Sequence, residues 1–66
     1  MEGQWRVEVH WSNGDFTAFP NVDGESIAYE NNDNTMTFTF GSKEGENRHR
    51  GVIFLNKVNF LEWIKE

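Results

Sequence analysis

The side chains with which this chain could do chemistry are two imidazoles, His10 and His49, three serines, and a large stock of carboxylates. A hydrolytic triad needs a base beside an activated Ser or Cys, with a third group orienting the base. Ser12, Ser26 and Ser42 lie in or beside turn-forming stretches, where serine ordinarily bonds to local backbone, and none has a nucleophile-elbow context. Cysteine is absent, which removes thiolate nucleophiles, thiolate zinc sites and any disulfide framework. Asp15, Asp23 and Asp33 stand where turns are expected. Asn31-Asn32-Asp33-Asn34 lacks the alternating ligands, central glycine and distal glutamate of a calcium loop. No glycine-rich phosphate loop precedes a helix. The chain therefore reads as having no catalytic residue, no metal centre and no cofactor. A hydrolase using His10 or His49 with a carboxylate is the enzyme reading that remains, and it ranks below binding.

Binding chemistry is better represented. The polar stretch Gly41–Arg50 ends in Arg48-His49-Arg50, and adjacent guanidinium groups can hold a phosphate or carboxylate bidentately while an aromatic face stacks a base. A nucleotide-like ligand is one expectation from this loop; pairing of the arginines with surplus carboxylates is the competing one. The ten aromatic residues carry a second signal. Phe19, Phe54, Phe60 and Trp63 do not all fit on the face that Trp5, Trp11, Phe38 and Phe40 require, so some form a second apolar surface. Exposed aromatic patches mark partner or subunit contacts, and Phe60 and Trp63 are the residues expected there. A closed roll with every aromatic inside is the alternative.

The elements that position these groups are strands. Trp5, Val7, Val9 and Trp11 recur at every second position with Arg6, Glu8 and His10 between them, the period of a half-buried strand. His10 is expected to face solvent. Thr35–Phe40 alternates equally well, with Met36, Phe38 and Phe40 inward and three threonines outward. Asn13-Gly14 predicts a two-residue type I′ hairpin leading into Phe16–Phe19, and Pro20 is expected to end that strand. Ser26–Glu30 and Val52–Leu55 read as short strands. Residues 56–66 fit either a strand or a helix. The echo of Phe19-Pro20-Asn21-Val22 in Phe54-Leu55-Asn56-Lys57-Val58, and of Ala28-Tyr29-Glu30 in Ile64-Lys65-Glu66, suggests two copies of one three-strand unit, against chance similarity. On that basis the last segment is expected to be a strand, with a terminal helix as the alternative. The expected fold is one all-β domain spanning 1–66, with about six short antiparallel strands in a meander that curls into a barrel-like roll or a sandwich.

Size and charge bound the function. Sixty-six residues sit near the lower limit for a core without staples, so packing, helped by oligomerisation, must supply stability. Eleven acidic against six basic side chains leave a formal charge of −5, which repels phosphate backbones and anionic lipid. Nucleic acid is a disfavoured partner, and no apolar run reaches the length of a signal core or membrane span, so a cytoplasmic protein is expected. The alternating strand, Asn-Gly turn, Phe-x-Asn-Val corner and acidic end together resemble the very short all-β proteins of phage and prophage genomes. That resemblance implies a viral or mobile-element accessory protein, or an inhibitor, that occupies a surface of its partner. The leading expectation is a small acidic protein-interaction module, self-associating, that acts by stoichiometric binding.

Overall fold

Alternation decides the two central strands, and everything else is arranged beside them. The computed structural model describes residues 2–41 and 48–66; Ser42, Glu44 and Glu46 of the polar stretch lie outside the described residues. Six strands follow in order: β1 (Gln4–Trp11), β2 (Phe16–Asp23), β3 (Ala28–Glu30), β4 (Thr35–Phe40), β5 (His49–Phe54) and β6 (Val58–Lys65). They form two three-stranded antiparallel sheets, ordered β2-β1-β6 and β3-β4-β5. The two perfect alternators, β1 and β4, each occupy the middle of a sheet.

The fold is all-β and the last segment is a strand, as the repeat reading required. The connectivity is not a simple meander. β2 does not pair with β3, nor β5 with β6; instead the chain changes sheet through the 3-10 turns Gly24–Ser26 and Leu55–Lys57. Each turn leaves an unladdered gap, so the arrangement is a sandwich and not a closed barrel. β6 returns to pair with β1, which joins the two ends of the chain in one sheet.

The two halves repeat one pattern of pairing, with their third strands exchanged between the sheets. Gln4 opposite Asp23 and Trp5 opposite Val22 in one sheet match Thr35 opposite Phe54 and Met36 opposite Ile53 in the other. On the far side of each central strand, Lys65 and Ile64 lie opposite Trp5 and Arg6, as Tyr29 and Ala28 lie opposite Met36 and Thr37. A positive-φ residue precedes each central strand, Gly3 at φ 86° and Asn34 at φ 54°. Its carbonyl accepts the first N–H of the 3-10 turn, from Gly24 and Leu55 respectively, at 2.9 Å in both. The echo of Ala28-Tyr29-Glu30 in Ile64-Lys65-Glu66 thus falls on equivalent rungs. The Phe-x-Asn-Val echo does not, because Val22 is equivalent to Ile53 and not to Val58.

Two local expectations fail for identifiable reasons. Pro20 does not end β2, which runs on to Asp23; β2 is an edge strand, and its register with β1 shifts between Phe19 and Val22 so that Pro20 has no partner there, a place where a residue without an N–H costs no ladder bond. The Pro20 carbonyl meanwhile accepts from Gly41 N at 3.0 Å. The Asn13-Gly14 turn is not type I′, since Gly14 is at φ 94° and Asn13 is not in the positive-φ region. Gly14 N donates to Trp11 O and Trp11 N to Asp15 O, a three-residue loop with a left-handed glycine. Asn13 Oδ1 accepts from Asp15 N and so stiffens it.

Val7, Val9, Val22, Met36, Phe38 and Ile53 form the buried core, with Trp5, Trp11, Phe19, Phe40, Leu61 and Trp63 among the residues packed around it. Phe19 from one sheet meets Phe38 and Phe40 from the other edge-on, with centroids 5.2 and 5.0 Å apart, the favoured geometry for aromatic pairs. Thr35, expected outward, is buried at 7 % exposure between its register partners Glu30 and Phe54. Ser26 serves the fold: its hydroxyl donates to Asp23 O at 2.7 Å and accepts from Thr39 N at 2.8 Å.

Gly51 lies directly opposite Phe38, and the ring covers it so closely that a Cβ would meet Cε2 and Cζ at 2.7 Å. Gly51→Ala is expected to cost about 1–3 kcal/mol, the usual penalty for overpacking. A chemical denaturation curve of the variant checks this. A midpoint equal to that of the parent would show that the ring can move aside.

Candidate functional site

In an antiparallel ladder, residues directly opposite one another share a face, so register determines which side chains meet outside the core. On the outer side of the β2-β1-β6 sheet, His10 of β1 lies opposite both Phe16 of β2 and Phe60 of β6. Glu8 lies opposite Ala18 and Glu62, and Arg6 opposite Ile64. Three of these are large apolar groups left exposed: Phe16 at 52 %, Phe60 at 48 % and Ile64 at 42 %.

His10 is the centre of this surface. Its ring stacks on Phe60 with centroids 4.0 Å apart and planes 12° from parallel, and it leans on Phe16 at 5.1 Å. The expected outward direction is right, but the ring is half-buried between two phenyl groups and not free in solvent. His10 Nε2 lies 2.9 Å from Glu62 Oε1. Arg6 Nε donates to Glu8 Oε2 at 2.8 Å. Glu8 and Glu62 face each other across the strands, an arrangement of like charges that is unfavourable on its own; each carboxylate takes a basic partner. The His10–Glu62 pair spans 52 positions of sequence, and only the pairing of β1 with β6 brings the two together.

The residues singled out from sequence fall in three places. Arg48 Nη2 donates to the carbonyls of Asn21 at 2.8 Å and Thr39 at 3.3 Å, tying β2 to β4. His49 lies opposite Phe40, their rings 5.4 Å apart. Arg50 is exposed opposite Thr39, so along β5 it points to the outer side, away from His49. The three do not converge as a clamp. Phe60 sits on the outer face as expected. Trp63 does not: it lies opposite Val7 and packs against the core, because Leu61 and Trp63 share the parity that faces inward while Phe60, Glu62 and Ile64 face out. Its expected place on an exposed apolar surface is corrected accordingly.

The outer side of the other sheet carries Val52 at 53 % and Phe54 at 56 % exposure, with Arg50 on the same strand. An open depression beside the first hairpin is lined by Trp11, Ser12, Asn13, Asp15 and Lys57. It contains Ser12 and neither histidine. Among the described residues no helix is long and apolar enough to cross a membrane. Comparison with family models, curated proteins and solved structures finds no match.

Proposed function

We propose that the chain is a protein-interaction module that acts by stoichiometric binding, with self-association among its modes. Its contact surface is the outer face of the β2-β1-β6 sheet. The observation that carries this reading is the pair of exposed rings Phe16 and Phe60 against His10, with exposed Ile64 farther along the same face opposite Arg6, all on strands and held by backbone pairing. Aromatic groups on a rigid sheet bury large areas at little entropic cost when a partner covers them. The formal charge of −5 favours a basic partner surface and disfavours nucleic acid. The likeness in style to short all-β proteins of phage and prophage genomes supports an accessory or inhibitor role. Capture of a nucleotide-like ligand by Arg48, His49 and Arg50 is not favoured by any observation, since the Arg48 guanidinium already serves two backbone carbonyls.

Sedimentation velocity over a micromolar concentration series tests this reading in its simplest form, with a second copy of the chain as the partner. The parent is expected to associate, and Phe16→Ser combined with Phe60→Ser to weaken association at least tenfold. Both positions are about half exposed, so the cost to stability is expected to be about 1 kcal/mol, mainly from the lost ring stack on His10. A parent whose sedimentation does not change with concentration, or a double variant that associates as the parent does, would contradict self-association through this face.

A further inference from the structure

The polar centre of the same face has a chemistry of its own. Glu8, His10 and Glu62 each offer a ligand atom, and these atoms lie within 4.8 Å of one another, the one such group among the described residues. We propose that they form a binding site for a borderline divalent transition cation of the Zn²⁺ class.

Register brings the donors together. Glu8 and Glu62 are directly opposed on β1 and β6, and His10 lies two residues along β1 on the same face. Two opposed carboxylates are a repulsive pair, and a cation between them turns that repulsion into coordination. Two of the donors, His10 and Glu8, are held in place beforehand. The imidazole is stacked on Phe60 and backed by Phe16, with Nε2 turned toward Glu62. Arg6 bonds Glu8 through Oε2, which fixes that carboxylate and leaves its second oxygen to coordinate, the outer-shell support that metal ligands commonly have. The donors also stand on strands of a sheet, and β1 is its central strand, so the backbone holds their spacing.

Ligand type selects the ion. One imidazole nitrogen and two carboxylate oxygens suit zinc and its neighbours, whereas calcium and magnesium prefer oxygen alone. Zinc takes such ligands at about 2.0–2.2 Å, so modest side-chain rotation is needed to close the triangle. The remaining positions open to solvent, because Glu62 is exposed. This site goes beyond the interaction reading and does not depend on it.

The test is titration of the untagged full chain with ZnCl₂ by calorimetry at neutral pH, repeated with Co²⁺ to read its visible absorption. A saturable one-to-one site is expected, weakened at least tenfold by His10→Ala and by Glu62→Gln, unchanged by His49→Ala, and undisturbed by millimolar Ca²⁺. Glu62→Gln keeps the size and exposure of its side chain, so it reports on coordination even where His10→Ala disturbs the sheet; circular dichroism of each variant verifies the fold. Absence of saturable binding in the parent, equal affinity in Glu62→Gln, loss in His49→Ala, or displacement by Ca²⁺ would each overturn the proposal. Run in parallel, sedimentation in EDTA separates this outcome from that of the association reading.

Discussion

Replacing Phe38 with alanine is expected to leave the chain largely unfolded at room temperature. Phe38 is fully buried on the central strand β4. Its ring touches Phe19 of the opposite sheet, lies near Phe40 of its own, and roofs Gly51 of β5. Truncating a buried Phe to Ala costs about 3–5 kcal/mol, and a domain this small holds about 3–5 kcal/mol from its core, so one substitution removes most of the margin. The loss exceeds the area term because Gly51 has no side chain to fill the space. Phe38→Leu with Gly51→Ala should recover part of it, since the added methyl group occupies ground the ring gave up. Thermal unfolding followed by near-ultraviolet dichroism checks both variants. A cooperative transition for Phe38→Ala close to that of the parent would show that the core does not depend on this ring.

Trp63→Ser is expected to act on stability, in contrast to Phe60→Ser. Trp63 is half-buried opposite Val7 and packs on the core, so its loss should cost roughly half the 3–5 kcal/mol of a fully buried truncation, about 2 kcal/mol. It also loosens β6, which among the described strands pairs only with β1. Phe60, three residues earlier on the other face, should affect association and leave the melting temperature within a few degrees of the parent. Denaturant titration of the two single variants separates the effects. Equal stability losses at the two positions would mean that β6 is not held in the register described.

How much of this was legible in the sequence follows from what each residue depends on. Trp5–Trp11 and Thr35–Phe40 were readable because period-two alternation is local, and both became central strands. The sixth strand was readable only through the resemblance between the halves, since residues 56–66 satisfied helical and strand spacing alike. The start of β5 was hidden: His49-Arg50-Gly51 is polar and holds a glycine, and it forms a strand because Phe38 covers Gly51 from the neighbouring strand. Pro20 misled because its harmlessness depends on β2 being an edge. The parity that puts Trp63 inside and Phe60 outside is visible in residues 58–65, but which parity faces the core is set by register against β1. The site is the extreme case. His10 and Glu62 are unremarkable in their own neighbourhoods, and Arg48-His49-Arg50 is conspicuous, yet long-range pairing assembles the first group and disperses the second.

The central functional claim is that the outer face of the β2-β1-β6 sheet is where this protein meets its partner, a second copy included. Amide chemical shifts recorded across a concentration series, with EDTA present, test it most directly. Shifts are expected to be confined to residues around His10, Phe16, Phe60 and Ile64, with the amides of Val52 and Phe54 on the opposite sheet and of Ser12 and Asn13 beside the depression unchanged. Shifts concentrated on Val52 and Phe54, or none at any concentration, would contradict it.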